Sequence, residues 1–213
     1  MKGVRFGTIH SFDEWGLILT GKNIGAAVPK TKHIEIEGGN GVIDLTDFFG
    51  GVKYKNRLLT FNFTKPNISS SESLALYELV QNEIHGKVRQ VILDDDPGFY
   101  YYGRISVNEW KSKKNYGEIV IEVDAEPFKT EVTSTIRIFD VNGSANIVIP
   151  NDKKPAIPTV TNDASFTITY NGYTATYPAN STSIPELELQ EGNNQMRVVG
   201  TGRITFEFMK GRL

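Results

Sequence analysis

The chain offers two pairs of carboxylates at a spacing that could serve glycoside hydrolysis: Glu35 with Glu37, and Glu186 with Glu188. Such enzymes need only two carboxyl groups held about 5–10 Å apart. Each pair, however, lies at positions i and i+2 of a segment in which apolar and polar residues alternate. Both members therefore share one face of a strand, most simply the solvent face. The pattern favours a surface role for all four side chains.

A run of three aspartates, Asp94, Asp95 and Asp96, invites interpretation as a calcium or magnesium site. Its spacing is not that of a calcium-binding loop, and no acidic ligand follows at the expected distance. Pro97 and Gly98 come next, and acidic side chains before a fixed proline torsion favour a tight reversal of the chain. The sequence therefore predicts a hairpin turn here and no metal site.

Other patterns of catalytic chemistry are missing from the sequence. The three histidines, His10, His33 and His85, include no two at the spacing of zinc ligands. No Gly-x-Ser-x-Gly turn is present, and the glycine-rich residues 38–41 and 200–202 lack the Lys-Ser/Thr ending of a phosphate loop. We therefore expect a non-enzymatic protein with no catalytic, cofactor-binding or metal-binding residues.

Three consecutive tyrosines, Tyr100, Tyr101 and Tyr102, could stack against sugar rings or nucleic-acid bases. Along a strand, however, Tyr101 points away from its two neighbours. We expect one tyrosine in the core and two at the surface or at an oligomer contact, where aromatic residues are enriched.

Composition and charge exclude several classes of protein. The 213 residues include no cysteine, so neither disulfides nor thiolate metal sites are available. No apolar run approaches the roughly 20 residues of a membrane helix, and residues 1–15 lack the apolar stretch of a secretory signal. Residues 1–128 hold 15 Lys/Arg and 17 Asp/Glu, and residues 129–213 hold 8 of each. We expect cytoplasmic synthesis, no membrane contact and no specific nucleic-acid binding.

One segment has the pattern of a helix. Ser69 and Glu72 form a capping box, Gly86 follows the expected end, and we predict a helix over residues 69–84. An apolar stripe should pack against a sheet; it consists of Leu76, Leu79, Val80 and Ile84. His85 lies just beyond, where the helix dipole would favour an imidazolium, and this structural role is favoured over a catalytic one.

Period-two alternation dominates elsewhere and predicts half-buried antiparallel strands. The clearest strands are residues 57–64, residues 117–126, and the hairpin of residues 87–93 with residues 100–107. After Pro127 short strands follow one another without a helix, including a hairpin around Asn171-Gly172 and two later runs, residues 195–199 and 203–209. The fold class is mainly β: residues 1–128 form a β domain with one helix, and residues 129–213 form a small β-sandwich.

Several blocks, in the same order and spacing, resemble the distal tail proteins of siphophages. In chain order they are residues 10–19 (His-Ser-Phe-Asp-Glu-Trp-Gly-Leu-Ile-Leu), Pro29, residues 34–41 (Ile-Glu-Ile-Glu-Gly-Gly-Asn-Gly), residues 44–46 (Asp-Leu-Thr), residues 52–57 (Val-Lys-Tyr-Lys-Asn-Arg), His85-Gly86, residues 94–97 (Asp-Asp-Asp-Pro), residues 102–104 (Tyr-Gly-Arg) and residues 124–128 (Asp-Ala-Glu-Pro-Phe). Lys154-Pro155, Ile157, Asn171-Gly172 and residues 191–194 resemble the family's galectin-like C-terminal sandwich more loosely.

The resemblance implies a structural virion protein of a phage or prophage tail. Its N-terminal domain would form a homo-hexameric ring at the distal end of the tail, between the tail tube protein and the tail-associated protein of the tip. The residues expected to take part in assembly are Trp15, Gly16, Leu17, Phe48, Phe49, Tyr54 and Arg57. Trp15, Leu17 and the two phenylalanines lie in segments that are apolar or irregular for a free surface, and burial within one subunit is the alternative.

Two functions from other classes stay open from the residues alone. A β-sandwich is also the scaffold of carbohydrate-binding modules, which would recognise a glycan of the host surface. A tail-associated glycan hydrolase would instead use one of the carboxylate pairs.

Overall fold

The computed structural model of the chain describes residues 3–48, 50–113, 115–180 and 186–213. The chain separates into two compact units, Met1–Lys129 and Thr130–Leu213. That division lies one residue from the predicted boundary. The predicted class is confirmed, because strands dominate both units and the described residues contain one α-helix.

The N-terminal unit is built on an antiparallel sheet. Its elements are β1 (Val4–Phe6), β2 (Ile9–His10), β3 (Ile18–Ile24), β4 (His33–Glu35), β5 (Val42–Asp44), β6 (Arg57–Pro66), α1 (Ser70–Ile84), β7 (Val88–Leu93), β8 (Phe99–Lys113) and β9 (Tyr116–Ala125). Seven of the strands lie side by side in the order β2-β1-β7-β8-β9-β6-β3. The other two, β4 and β5, form a small sheet of their own.

Alternation along the central strands builds the core, as the sequence predicts. Leu59, Phe61 and Phe63 of β6 are fully buried, and they face the same side as the four apolar residues of β9. These four are Ile119, Ile121, Val123 and Ala125, all with no exposed surface. Large apolar side chains that are removed from water in this way supply most of the favourable free energy of folding.

The helix α1 confirms the predicted capping box. The Ser69 hydroxyl accepts a hydrogen bond from the Glu72 N–H, and the Glu72 carboxylate accepts one from the Ser69 N–H. Hydrogen bonds from Ser69 lower the pKa of Glu72. One member of the predicted apolar stripe is wrong: Leu79 is exposed, because the buried face runs through Ser73, Val80 and Ile84 at helical spacing.

His85 caps the C-terminal end of α1 without the expected cationic interaction. Its Nδ1 accepts a hydrogen bond from the Val107 N–H at 3.0 Å, so this nitrogen acts as an acceptor. The ring therefore ties the end of the helix to β8.

Each of the three aspartates in the turn of the β7–β8 hairpin contacts a different part of the N-terminal unit. Asp94 accepts a hydrogen bond from the Gly3 N–H at 2.6 Å, Asp95 pairs with Lys22, and Asp96 lies 2.6 Å from the Lys129 ammonium. The carboxylates diverge toward three separate partners. The predicted hairpin turn is confirmed.

The described elements of the C-terminal unit are β10 (Lys129–Glu131), which begins at the last residue of the first unit, β11 (Thr135–Asn151), β12 (Thr159–Asn162), β13 (Phe166–Tyr170), β14 (Tyr173–Tyr177), β15 (Gly192–Phe208) and β16 (Gly211–Arg212). Four of these strands form an antiparallel sheet in the order β11-β15-β13-β14, and β12 also pairs with β15. Buried residues of the sheet form a single core cluster together with Leu187 and Leu189.

Two predictions for this unit have different outcomes. The hairpin around Asn171-Gly172 is confirmed, with both residues at positive φ as a two-residue turn requires. The two runs predicted after residue 194 are wrong as separate strands, because β15 continues through both. Gly200 and Gly202 adopt φ of 155° and 147°. A Cβ at these positions would collide with Phe166 and Asp163, so glycine allows β15 to remain paired there.

None of the described residues belongs to a helix long and apolar enough to cross a membrane.

Candidate functional site

An extended arm leaves the sheet of the N-terminal unit after β3 and returns to it at β6. We define the arm as residues 26–56. Near its middle, β4 and β5 pair in register with Ile34 opposite Ile43. Closer to the sheet, the Lys30 N–H donates to the Lys53 carbonyl at 2.7 Å, and the Lys55 N–H donates to the Val28 carbonyl at 2.8 Å. The arm is therefore a two-limbed ribbon held by its own backbone hydrogen bonds.

The arm exposes an unusual amount of apolar surface. Between residues 28 and 53, the described side chains are exposed except for Leu45 and Thr46, which are half-buried. Seven of the exposed side chains are large and apolar: Val28, Ile34, Ile36, Val42, Ile43, Phe48 and Val52. An isolated two-stranded hairpin is marginally stable in water, and a run of exposed apolar side chains marks an interaction surface.

The two faces of the β4–β5 ribbon differ in polarity. Directly paired residues of antiparallel strands point to the same side, so Ile34 and Ile43 share one face. The other face carries the pair His33–Asp44, whose Nε2 and Oδ2 atoms are 3.7 Å apart. Hydrogen bonds from Thr46 lower the pKa of Asp44 and keep this carboxylate ionised. One face of the ribbon thus presents the two isoleucines, and the other presents charged side chains together with Val42, which pairs with Glu35.

Arg57 anchors the base of the arm. Its Nε donates to the Gly25 carbonyl at 2.7 Å, and one terminal nitrogen donates to the Pro127 carbonyl at 3.1 Å. The guanidinium also lies over the ring of Tyr101, 5.6 Å from its centre, and the side chain is nearly buried. Because the fork of an arginine has fixed geometry, it holds the chain on both sides of the arm in one arrangement.

Tyr54 fixes the second limb of the arm. Its ring packs edge-on against Phe128, with ring centres 5.9 Å apart, and Tyr54 also forms an isolated bridge with Pro29. Side-chain packing therefore holds the second limb against Phe128, while backbone pairing joins the two limbs to each other.

The seven residues expected to take part in assembly fall in different environments. Phe48 is 72% exposed on the arm, whereas Trp15 and Leu17 lie in the core. Trp15 donates its indole N–H to Glu83 at 2.7 Å, which ties the turn of residues 11–15 to α1. Gly16 takes a positive φ at the end of this turn, and Phe49 lies outside the described residues. The assembly role of all seven, with Tyr54 and Arg57 at the base of the arm, stays a prediction.

The other residues with possible chemistry lie in separate parts of the chain. Glu186 and Glu188 are exposed and flank the buried Leu187, as period-two alternation predicts, and both glutamates of the first pair are exposed on the arm. Tyr101 is buried beneath Arg57, while Tyr102 is 42% exposed. The tyrosines therefore do not form a continuous stacking platform.

Sequence reasoning missed the arm as a unit. The signal was present: the alternating residues 33–36 and the apolar residues 42 and 43 flank the turn-forming Gly38-Gly39-Asn40-Gly41, which is the pattern of a hairpin. Nothing in that pattern, however, says that the ribbon is remote from the core.

Comparison with solved structures gives a match over the full length of the chain. The chain aligns over 100% of its length with 100% of the Dit protein (gp 19.1) of phage SPP1, with a TM-score of 0.74 and 12% sequence identity. The fold is that of a siphophage distal tail protein. The crystal structure of SPP1 Dit is described as a paradigm of the hub adsorption apparatus in phages that infect Gram-positive bacteria.

The distal-tail fold extends over both units, because the match leaves no part of either chain uncovered. Sequence comparison adds nothing to it: no family model matches the chain, and no curated protein is significantly similar to it. The resemblance noted from short sequence blocks therefore agrees with the fold, although the overall identity is low.

Proposed function

We propose that this protein is a structural component of a siphophage or prophage tail, in which it forms a hexameric ring at the distal end of the tail tube. The ring would join the tail tube protein on one side to the tail-associated protein of the tip on the other. The observation that carries the proposal is the full-length match to the SPP1 tail hub protein, with a TM-score of 0.74.

The arm supports an assembly role on physical grounds. A ribbon with exposed Ile34 and Ile43 on one face leaves apolar surface in water unless another chain covers it. A ring needs a heterologous contact, in which one edge of a subunit meets a different surface of the next and closes after a fixed rotation. An arm that projects from the subunit sheet, with its base fixed by Arg57, has the form for such a contact.

The charge of the protein also suits a tube component. A conduit for DNA should not hold DNA through clustered basic residues, since each neutralised phosphate adds salt-dependent affinity. The whole chain has a formal net charge of −2, with 23 basic and 25 acidic residues. This balance supports a passive channel and gives no support to a nucleic-acid-binding function.

The first test replaces the apolar face of the arm. Serine substitutions at Ile34 and Ile43 should lower the molar mass measured by light scattering at high protein concentration, from that of a hexamer to that of a monomer. The matched control carries serine at Ile136 and Ile138 of the C-terminal unit, which are isoleucines of similar exposure. The control should still assemble.

The second test locates the protein in particles. Electron microscopy of intact tails, with an antibody or a small fusion as a marker, should place it in a ring at the distal end of the tube. Labelling elsewhere in the virion, or normal tails after deletion of residues 1–128, would show that the proposed role is wrong.

A further inference from the structure

Asparagine followed by glycine occurs three times in the chain, as Asn40-Gly41, Asn142-Gly143 and Asn171-Gly172. Asparagine is a thermally labile residue, because the backbone nitrogen of the following residue can attack its side-chain amide carbon. Glycine in that following position leaves the nitrogen accessible, since it carries no side chain that would obstruct the approach. The structure gives the three dipeptides different surroundings, so their reactivities in the folded protein should differ.

Asn142-Gly143 lies within a pair of strands. Both residues belong to β11, and they pair with Thr201 and Gly200 of β15. The Gly143 N–H also donates to the Thr201 hydroxyl at 3.2 Å. The nitrogen that would attack is therefore held by a hydrogen bond, and the backbone can reach a reactive conformation only after local opening of the two strands.

Asn171-Gly172 forms the two-residue turn of the β13–β14 hairpin. The strands pair up to Tyr170 and Tyr173, immediately on either side of this turn. Asn171 and Gly172 have φ of 49° and 80°, the left-handed conformation that such a turn requires at both positions. Because the paired strands hold both residues in this conformation, rotation of the Asn171 backbone toward a reactive arrangement again requires local opening.

The described contacts leave Asn40-Gly41 without these restraints. Both residues are exposed, in the turn of residues 36–41 that connects β4 to β5. None of the backbone hydrogen bonds between described residues is donated by the Gly41 N–H. Space around Gly41 is open as well, since a Cβ on it would meet nothing within 4 Å beyond its two chain neighbours. The nitrogen of Gly41 is therefore free to approach the Asn40 side chain.

We propose that Asn40 is a modification site at which the folded protein deamidates without an enzyme. The Gly41 nitrogen bonds to the Asn40 side-chain carbonyl carbon, the bond from that carbon to the side-chain nitrogen breaks, and ammonia leaves with the proton from the Gly41 nitrogen. Solvent water then opens the resulting five-membered imide. Its oxygen bonds to one of the two imide carbonyl carbons, and its hydrogen restores the Gly41 N–H. Attack at the side-chain carbon gives aspartate, and attack at the backbone carbon gives isoaspartate.

The products change the turn in two ways. Each adds a negative charge to a segment that already carries Glu35 and Glu37. Isoaspartate also routes the main chain through the side-chain carbon, which lengthens the connection between the paired residues Glu35 and Val42. Loop length helps to fix the register of a hairpin, so this product should loosen the β4–β5 pairing. The site does not depend on the proposed tail function, although the altered ribbon is the surface to which that proposal assigns assembly.

Peptide mapping by mass spectrometry tests the site after the full chain is incubated in mildly alkaline buffer made with heavy-oxygen water. The label enters only during the incubation, so conversion in later handling carries no heavy oxygen. We expect the labelled fraction at Asn40 to grow at least about tenfold faster than at Asn142 or Asn171, because local opening must precede reaction at those two sites. In guanidinium chloride, the unfolded chain should convert at similar rates at all three.

Matched variants give a second readout by ion-exchange separation of the folded protein. Wild type should accumulate acidic species during the incubation, and Asn171→Gln should accumulate them at the same rate. Asn40→Gln should do so at least about tenfold more slowly, because its remaining Asn-Gly dipeptides react only after opening. Equal labelling of the three sites in the folded chain, or acidic species that form in Asn40→Gln at the wild-type rate, would overturn the proposal.

Discussion

Replacement of Arg57 by alanine should destabilise the N-terminal unit and loosen the arm together. The side chain makes two hydrogen bonds, to the Gly25 carbonyl at 2.7 Å and to the Pro127 carbonyl at 3.1 Å, and it covers Tyr101. A hydrogen bond from a charged donor contributes about 1.5–3 kcal/mol, and part is regained when water reaches the freed carbonyls. We therefore expect a loss of about 2–4 kcal/mol in the free energy of unfolding.

Urea unfolding followed by tryptophan emission isolates this effect. Both tryptophans, Trp15 and Trp110, belong to the N-terminal unit, so their emission does not report on the C-terminal unit. With a slope of about 2 kcal/mol per molar urea, in the middle of the usual range, the expected loss moves the midpoint by about 1–2 M. Hydrogen exchange should also accelerate at the Lys30 and Lys55 amides, which join the two limbs of the arm.

Arg5→Ala provides the matched control. Arg5 is an exposed arginine of β1, and its replacement should change the stability by less than about 0.5 kcal/mol. If Arg57→Ala lost less than that amount, or if both variants lost the same, the clamp at the base of the arm would not contribute as its geometry indicates. If Arg57→Ala destabilised the N-terminal unit but left hydrogen exchange in the arm unchanged, Arg57 would not couple the stability of the unit to the order of the arm.

Three further changes have expected outcomes. Ser69→Ala removes the cap of α1 and should cost about 1 kcal/mol by the same urea assay. Gly103→Ala should cost about 1–3 kcal/mol or more in that assay, because its Cβ would lie 2.6 Å from the Ala125 Cα in the paired strand. In the C-terminal unit, burial raises the pKa of Asp152, but hydrogen bonds from two basic side chains, including Arg212, outweigh it and lower the pKa below the model-peptide value of 3.8. The contribution of Asp152 to stability is therefore complete above about pH 4 and is lost as pH falls through the lowered pKa. Hydrogen exchange of the C-terminal unit should become faster over this pH range. The Asp152→Asn variant should not show this pH dependence.

The strands and the helix were predictable where local pattern and tertiary burial agree. The β6 and β9 alternation puts apolar residues on one face, and the capping box of Ser69 is a local signal that needs no distant contact. Leu79 shows the limit of such reasoning. The sequence predicts that all four apolar residues of the stripe are buried together. The position of the sheet, which the sequence does not show, decides which of these side chains are buried.

The candidate site was less predictable, because exposure is a property of the whole fold. The apolar Ile34 and Ile43 on the arm have the same local pattern as buried strand residues, and for Trp15 the sequence left burial and an assembly contact open, whereas the side chain lies in the core. The burial of Arg57 has no sequence signal either, since its two partners are backbone carbonyls 32 and 70 residues away. Contacts of this range cannot be read from spacing.

Because of where the arm is inserted in the sheet, the folding of the sheet and the contacts of the arm are separate properties of the chain. The arm joins β3 and β6, which are neighbours paired to each other up to Ile24 and Leu59. The ladder of the sheet is therefore complete without the arm, and a short turn could connect the two strands in its place. Changes of length or sequence in the arm fall outside the hydrogen bonds that define the domain, so a lineage can alter what the arm touches while the same sheet continues to fold.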